Sequence, residues 1–387
     1  MKTVSVKSLD ELVEAGVIQL TRGKIISKTD MAACPGNYPV YSSAKENDGK
    51  FGEYGRFMFD EDLITWSVDG GGRLFYRPKH KFSVTNVGGV LRILDRATLD
   101  YRYLFYALTL RHSEITFDWV KKAHPSVIRK LYADIPVLPI PEQQRIVGIL
   151  DEAFDGIATA KANAEQNLRN ARALFESHLQ SVFTQRGEGW VEKRIEEIGT
   201  TQTGSTPKTS DKKNFGDFIP FIKPADFNAD GSLNYENDGL SEQGFAQARK
   251  VAEGSVLMVC IGATIGKCGW CDRDITTNQQ TNTLTPTKGA SYKFIYYQML
   301  IEDFQRRVIH CSGQATLPII NKSKWSALTV WLPPTLDDQE QIVAKLDALR
   351  EETQRLESLY QRKLAALDEL KKSLLHQAFS GQLIRDN

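Results

Sequence analysis

The chain has 387 residues, of which 41% are apolar, and this length suggests two or three domains with hydrophobic cores. Its 49 basic and 48 acidic residues leave a formal net charge of +1, which excludes binding to nucleic acid or anionic membrane by bulk charge alone. A run of 18 apolar residues is missing, which excludes a membrane-spanning helix. The first residues lack a signal-peptide core and five cysteines are too few for a disulfide framework, so we expect a reduced, cytoplasmic protein.

The first 140 residues have the pattern of a mixed α/β globule. Residues 63–68 form a short apolar run that ends near glycines, which is typical of a buried strand. Residues 101–111 have helical spacing. Segments rich in Gly, Asn, Asp and Ser, such as 42–52 and 68–73, predict long loops, and loops are where a scaffold carries recognition.

A long helix is predicted over residues 141–187. A proline-rich entry at 136–141 precedes apolar residues at every third or fourth position, which indicates a helix start followed by a heptad seam. About forty residues of helix measure roughly 60 Å at about 1.5 Å per residue. The predicted seam contains Ile146, Leu150, Ile157 and Leu174. The alternative is an ordinary helix that packs only on its own globule.

The second half of the chain repeats the first. Residues 143–151 match residues 339–347 at an offset of 196, and the match continues without a gap to Phe183 and Phe379. The globules repeat more loosely: Thr85-Asn86, for example, resembles Thr277-Asn278. The predicted seam of the second helix contains Ile342, Leu346, Leu349, Leu356, Leu367, Leu370 and Leu374. Because the two seams lie at equivalent positions, we expect the helices to pair with each other.

The predicted fold is therefore two mixed α/β (α+β) globular domains that alternate with two long α-helices. The predicted boundaries are 1–140 for the first globule, 141–187 for the central helix, 188–334 for the second globule and 335–387 for the C-terminal helix. The order globule, helix, globule, helix makes the chain an internal repeat.

Two motifs suggest chemistry that the sequence does not complete. Residues 262–268 resemble a phosphate-binding loop, but three residues separate its glycines and Cys268 replaces the hydroxyl residue that holds magnesium. Cys268 and Cys271 form a single CxxC, and the second ligand pair of a zinc site is missing. The Pro-Pro at 333–334 is followed by Thr335, whereas a methyltransferase loop requires an aromatic residue there. We therefore expect a chain without catalytic residues, bound metal or bound cofactor.

Basic side chains cluster in both globules although the net charge is near zero. DNA recognition uses Lys and Arg for phosphates, and Arg, Asn or Gln for base edges. The candidate DNA-binding residues of the first globule are Arg73, Arg77, Lys79, Lys81, Lys121 and Lys122. Those of the second are Lys208, Lys212, Lys213, Lys223, Lys267, Asn278, Gln279, Arg306 and Arg307.

The chain resembles the specificity (S) subunit of type I restriction-modification systems. Three features carry the resemblance: the duplicated layout, the proline-rich entries that run into Pro-Glu-Gln-Gln-Arg-Ile-Val at 141–147 and Asp-Gln-Glu-Gln-Ile-Val at 338–343, and the helix ending Ala-Phe-Ser-Gly-Gln-Leu at 378–383. The second entry departs from the family pattern by an insertion and an Asp in place of Glu. The end of the first copy, at 182–187, matches less well.

The resemblance implies two target recognition domains, each of which reads one half of a bipartite, asymmetric site in double-stranded DNA. It also implies that the long helices form an antiparallel coiled coil that sets the spacer. The partners would be two methyltransferase (M) subunits and restriction (R) subunits, which would hold S-adenosylmethionine, ATP and magnesium. The alternative is a coiled-coil interaction scaffold with two sensor globules that does not bind DNA.

Overall fold

A computed structural model describes residues 5–43, 47–69, 72–116, 118, 121–313 and 317–380 of the chain. The chain divides into two compact units. The first unit contains the residues up to Glu165 together with those from Arg362 onward, and the second contains Gln166–Gln361. Each unit therefore contains one globule and a part of each long helix.

The first unit is built on a six-stranded sheet. Its elements are β1 (Ser5–Lys7), α1 (Leu9–Glu14), β2 (Ile18–Arg22), α2 (Lys28–Ala33), β3 (Tyr38–Tyr41), β4 (Lys50–Tyr54), β5 (Phe59–Ser67), β6 (Leu74–Val84), β7 (Gly88–Ile93), α3 (Tyr101–Glu114), α4 (Pro125–Leu131), β8 (Ile135–Val137) and the long helix α5 (Ile140–Thr184). The sheet order is β2-β7-β5-β6-β3-β4, in which β3 and β6 run parallel and the other neighbours antiparallel. Strands β1 and β8 form a separate antiparallel pair.

The core of the first unit continues from the sheet to the long helices. Trp66 is 1% exposed, and its indole N–H donates to the carbonyl of Ala123 at 2.7 Å. Leu104 of α3 lies in the same apolar cluster as Leu150 of α5 and Leu375 near the C-terminus. Full burial of such a leucine stabilises a fold by about 1.5–3 kcal/mol. The globule and its helix segments therefore share one core.

The second unit contains two four-stranded sheets. Its further elements are β9 (Val191–Arg194), β10 (Gly199–Thr203), β11 (Phe215–Ile222), β12 (Gly239–Leu240), α6 (Glu242–Phe245), β13 (Lys250–Val251), β14 (Val256–Val259), β15 (Cys268–Trp270), β16 (Ile275–Thr277), β17 (Thr281–Pro286), α7 (Tyr292–Leu300), α8 (Glu302–Ser312), α9 (Lys322–Ser326), β18 (Thr329–Leu332) and the long helix α10 (Leu336–Phe379). The sheet orders are β10-β17-β14-β15 and β12-β11-β16-β13, and β9 pairs with β18. Strands β11 and β16 run parallel, as β3 and β6 do in the first unit.

The long helices have nearly equal lengths, 45 residues for α5 and 44 for α10. Helix α10 begins directly after Thr335, whose hydroxyl oxygen accepts a hydrogen bond from the Asp338 N–H at 3.1 Å. This is the bond by which an N-cap residue satisfies a free backbone donor. Within the ranges given above, no helix is both long and apolar enough to cross a lipid bilayer.

In the first unit the two long helices run antiparallel. The ammonium of Lys371 lies 4.9 Å from the centre of the Phe154 ring. Further along α5, Lys161 forms an ion pair with Asp368 at 2.6 Å. Positions in α5 therefore rise while the contacting positions in α10 fall, as the resemblance implied.

The second unit shows the same direction of pairing. Arg172 forms an ion pair with Glu357 at 2.9 Å. The guanidinium of Arg350 lies 4.6 Å from the centre of the Phe175 ring. Three residues further along α5 thus correspond to an earlier position in α10, so this pairing is also antiparallel.

Most of the predicted seam faces inward. Ile146, Leu150, Ile157 and Leu346 are buried. The seam positions of α10 that are partly buried are Ile342, Leu349, Leu356, Leu367 and Leu374. Apolar residues outside the predicted seam, Leu179, Phe183, Val343 and Leu375, are also buried.

Two predicted seam residues were assigned to the wrong face. Leu174 is 51% exposed and Leu370 is 47% exposed. An α-helix drifts by about 20° per heptad relative to a strict seven-residue repeat, so four heptads after Ile146 and Ile342 the template has rotated by roughly 80°. In this part of each helix, burial falls one residue beyond the next heptad positions, 178 and 374. The buried residues are Leu179 and Leu375, which are outside the predicted seam.

One helix of each globule, α3 or α7, is fixed to a long helix by an aspartate of that long helix. Asp151 of α5 accepts a hydrogen bond from the hydroxyl of Tyr106 and forms an ion pair with Arg102 of α3. In the second unit, Asp347 accepts from the hydroxyl of Tyr297 and from Lys293 of α7. The repeat therefore includes the polar contacts between helices as well as the fold.

Candidate nucleic-acid interface

Four backbone segments meet in the first unit: the residues that follow β2, the end of β3, the residue after β5, and the turn between β6 and β7. We call this meeting point the first junction. Its hydrogen bonds run from Gly23 N–H to the Gly88 carbonyl (3.1 Å), from Lys24 N–H to Val84 (3.0 Å), from Thr85 N–H to Tyr41 (2.8 Å), from Gly88 N–H to Thr85 (2.9 Å) and from Val68 N–H to Val87 (3.0 Å).

The second unit contains the same five bonds at what we call the second junction. They run from Gly204 N–H to the Thr281 carbonyl (3.0 Å), from Ser205 N–H to Thr277 (2.9 Å), from Asn278 N–H to Ile222 (3.2 Å), from Thr281 N–H to Asn278 (3.2 Å) and from Cys260 N–H to Gln280 (2.7 Å). The segments joined are those after β10, at the end of β11, after β14, and between β16 and β17. The two junctions are therefore equivalent parts of the repeat.

This bonding pattern corrects the register of the repeat. Thr85 corresponds to Asn278, because each donates to the end of the neighbouring parallel strand. Asn86 therefore corresponds to Gln279, whereas the sequence comparison had placed Asn86 opposite Asn278. Each turn consequently carries a carboxamide side chain at the same position.

A glycine is required in each junction by close packing. A Cβ on Gly23 would lie 2.0 Å from the Val84 carbonyl oxygen, and one on Gly204 would lie 2.2 Å from that of Asn278. Because these neighbours are backbone atoms, they cannot move aside as a side chain can. The loop after β2 or β10 thus lies directly against the turn.

The side chains of the second junction hold its turn in one conformation. The Thr206 hydroxyl donates to Oε1 of Gln279, and the Asn278 amide donates to Oε1 of Gln280 at 2.9 Å. The Gln280 N–H donates back to Oδ1 of Asn278 at 3.1 Å. The amide of Asn278 is therefore used within the turn, while Gln279 is exposed.

Basic residues flank both junctions. At the first, the guanidinium Nε of Arg22 donates to the Asn86 carbonyl at 2.8 Å, and Lys24 is exposed. At the second, the guanidinium of Arg249 donates to the Thr203 carbonyl at 2.8 Å, and Lys208 is exposed. The basic clusters in the sequence do not point to Arg22, Lys24 or Asn86, and the signal that could have found them is the isolated glycine after each strand.

The predicted DNA-binding residues of the first unit are mostly exposed. Arg73, Lys79, Lys81, Lys121 and Lys122 lie on the surface. The Lys81 ammonium lies 4.9 Å from the centre of the Phe57 ring, which is itself 43% exposed. The Lys122 ammonium lies 3.5 Å from the Asp69 carboxylate.

Arg77 is placed inside the domain. It is 5% exposed, its Nε donates to the Thr65 hydroxyl at 3.1 Å, and its guanidinium also donates to the Asp48 carbonyl. The guanidinium lies 3.6 Å from the centre of the Tyr41 ring, and burial lowers its pKa. A phosphate could not reach it without unfolding this region, so we leave Arg77 out of the candidate surface.

In the second unit the structure brings some predicted residues together and separates others. Lys208, Lys212 and Lys213 share the exposed loop between β10 and β11, and Gln279 contacts that loop through Thr206. Lys223 forms an ion pair with Asp238 at 2.8 Å. Lys267 is half-buried at the start of β15.

The two arginines of α8 lie beside carboxylates of their own helix. Arg306 lies within 3.8 Å of Asp303, and Arg307 pairs with Asp303 at 3.1 Å. Arg307 also donates to the carbonyl of Thr329 at 3.1 Å, on a neighbouring segment. Arg307 is therefore held within the unit, whereas the side chain of Arg306 is largely exposed.

The loop over residues 262–267 connects two antiparallel strands. Met258 of β14 pairs with Cys268 of β15, whereas a phosphate-binding loop leads from a strand into a helix. Burial raises the pKa of Cys271 to about 11 and also raises that of Cys268. Each of these thiols donates to a backbone carbonyl, that of Ala252 or Gly266. Among the described residues no cluster of three metal-ligating side chains occurs.

The fold and the two junctions define a protein made of two repeated units, each with one globule and parts of both long helices. A family model for the type I restriction modification DNA specificity domain matches residues 1–168 and 187–363. The chain belongs to this family, and the resemblance drawn from the sequence is confirmed.

Relatives agree with this assignment. The chain is similar to S.MpnORF507P of Mycoplasma pneumoniae, a putative type I specificity subunit, with 24% identity over 344 residues that cover 86% of this chain and 87% of the relative. It is also similar to the HindI specificity subunit of Haemophilus influenzae, with 29% identity over 149 residues, which are 38% of this chain and 32% of the relative.

Two solved structures share the fold. A chain from a study of complex assembly and conformational transition of the type I R-M system has a TM-score of 0.69 at 16% identity. The match covers 94% of this chain and 97% of that chain. The HsdS subunit of Thermoanaerobacter tengcongensis has a TM-score of 0.54 at 16% identity, with the same coverage. At this identity the likeness concerns the fold alone.

Proposed function

We propose that this chain is the DNA-recognition subunit of a type I restriction-modification complex. Each globule reads one half of a bipartite target through the loops at its junction. Basic residues near each junction contact phosphates and position the globule, and polar side chains contact base edges. The domain limits of 1–140 and 188–334 serve as the limits of the two recognition domains.

The observation that carries this proposal is the repetition of five backbone hydrogen bonds at both junctions of a chain from the DNA specificity family. The bonds fix the path of the backbone in both units and leave the exposed side chains different. This is the arrangement that reading two different sequences with one scaffold requires.

The long helices are proposed to set the spacer between the two half-sites. Their antiparallel pairing in each unit gives them the stiffness of a packed helix pair. The chain itself supplies no catalysis in this proposal. Two M subunits methylate adenine with S-adenosylmethionine, and R subunits use ATP and magnesium to cleave DNA.

A domain exchange tests the proposal. Residues 1–140 are replaced by the corresponding domain of a family relative, and the complex with its M subunits is expressed in a host that lacks other adenine methylation. Sequencing of methylated adenines is expected to show a bipartite motif in which only one half has changed. A change in both halves, or in neither, would contradict the modular reading.

Binding to DNA itself is tested separately. Purified complex is titrated with a duplex that carries the motif and with one in which the half-sites are scrambled, over a range of salt concentrations. Specific binding that weakens with salt is expected, because phosphate contacts release counterions. Equal affinity for both duplexes, or no binding, would favour the alternative, an interaction scaffold that does not recognise DNA.

A further inference from the structure

We infer that Asn86 and Gln279 are the specificity-determining residues of the two halves, and that each reads the edge of one adenine. This inference rests on the proposed function and names the side chains that would carry it. Both residues occupy the same position of a repeated turn, between the donor at Thr85 or Asn278 and the following strand. Neither the sequence repeat nor the family resemblance had paired them.

The position suits a base contact because the backbone beneath it is fixed. Each turn is held by bonds to three other segments and by a close approach to a glycine. A side chain on such a turn loses little backbone entropy when it binds, which is the advantage of a preorganised site. Asn86 is partly buried and Gln279 is exposed, so both residues have surface accessible to solvent.

Gln279 is further oriented by its neighbour. Its Oε1 accepts from the Thr206 hydroxyl, which directs the carboxamide and identifies Nε2 as the donor end. A carbonyl oxygen has a second lone pair, so Oε1 can accept a further hydrogen bond. A carboxamide that donates and accepts side by side matches N7 and the N6 amino group of adenine in the major groove.

The surroundings of both turns are basic. Arg22 and Lys24 lie beside Asn86. Lys208 lies on the loop that contacts the second turn, and Arg249 contacts this loop. The N–H of Arg249 donates to the hydroxyl of Ser205 at 3.0 Å, which places this residue at the second junction. Phosphate contacts from such residues would hold the turn in the major groove, where its side chain can reach the base edges.

The test uses the methylation motif as its readout. Gln279→Ala, expressed with its M subunits, is expected to relax the requirement for adenine at one position of the second half-site. Discrimination between adenine and the other bases there should fall roughly 10- to 100-fold. Asn86→Ala is expected to do the same in the first half-site only. Each variant thus serves as the control for the other. Asn37→Ala, at an exposed amide of the first globule, is the matched control and leaves both halves unchanged.

Three further variants keep the test decisive if an alanine variant folds poorly. Asn86→Asp and Gln279→Glu preserve shape but replace the donor by an acceptor, so they should also lose the preference for adenine. Thr206→Val keeps the amide of Gln279 and should give a smaller loss than Gln279→Ala. A bipartite motif that stays unchanged in the isosteric variants overturns this inference and leaves the proposed function standing. Relaxation at a base other than adenine overturns the adenine assignment. A wild-type complex without a bipartite motif overturns the proposed function itself.

Discussion

The side-chain oxygen of Gln143 accepts a hydrogen bond at 2.8 Å from the backbone N–H of Asp100, the residue that caps α3. Gln143 is fully buried, and its amide donates to the carbonyls of Thr98 and Leu138. One side chain near the start of α5 thus fixes the segment that leads into α3.

Gln339 does the same in the second unit. Its Oε1 accepts from the N–H of Ser291 at 2.8 Å, and its amide donates to the Gly289 carbonyl at 2.9 Å. Ser291 is the residue before α7, as Asp100 is before α3. Gln143 and Gln339, one glutamine of each entry motif, are therefore structural residues that fix each globule to its long helix.

Gln143→Leu is expected to lower the free energy of unfolding by about 2–4 kcal/mol. It leaves the Leu138 carbonyl, whose bond is buried, and two partly buried backbone groups without partners, and a fully buried group in this state costs about 1–3 kcal/mol. Urea denaturation of the purified chain measures this loss. Gln144→Leu, at the exposed neighbouring position, is the control and should change stability little. Equal stability of the two variants would contradict the role of Gln143.

The corrected seam predicts a large loss of stability for one leucine of α5 and a small change for another. Leu179→Ala removes a 4% exposed side chain and should cost about 2–5 kcal/mol. Leu174→Ala removes a 51% exposed side chain and should change stability by no more than about 0.5 kcal/mol. Denaturation of the isolated chain compares them. A larger loss for Leu174→Ala would restore the strict heptad seam.

Glycine substitutions separate packing from helix propensity. Gly204→Ala should destabilise by about 1–3 kcal/mol, because the new Cβ would overlap a backbone oxygen, and it should impair recognition of the second half-site. Gly148→Ala should stabilise by about 0.5–1 kcal/mol, since the position is helical and a Cβ there meets nothing within 4 Å. Melting temperatures and the methylation motif report the two effects. A Gly204→Ala chain that behaves as wild type would show that the junction is looser than the structure indicates.

Tyr106, whose hydroxyl is bonded to Asp151, makes the stability of the fold decrease at alkaline pH. Burial, followed by the hydrogen bond to Asp151, raises the pKa of Tyr106 to about 12. Because the folded pKa lies above the unfolded value of about 10, this contribution is complete below pH ~10 and is lost as pH rises towards 12, at about 1.4 kcal/mol per pH unit. Tyr106→Phe should make the decline between pH 10 and 11 shallower in urea denaturation. An unchanged slope would contradict this assignment.

The long helices could be predicted because their signal is local. Apolar residues at helical spacing, the proline entries and the second copy at an offset of 196 all lie in the sequence itself. The faces of these helices could be predicted only near the anchors Ile146 and Ile342. Further along, packing decides the face, and a template with a fixed period cannot follow the rotation that exposes Leu174.

Much of the candidate recognition site depends on contacts between distant segments. The basic and amide residues at Lys208, Lys212, Lys213 and Gln279 were within reach of composition and loop arguments. The pairing of Asn86 with Gln279 was not, because backbone hydrogen bonds between distant segments define it and such bonds place little constraint on side-chain identity. Sequence by itself thus determined the duplication and the long helices. Tertiary structure decided which loops meet, that Arg77 turns inward, and which side chain stands at the tip of each turn.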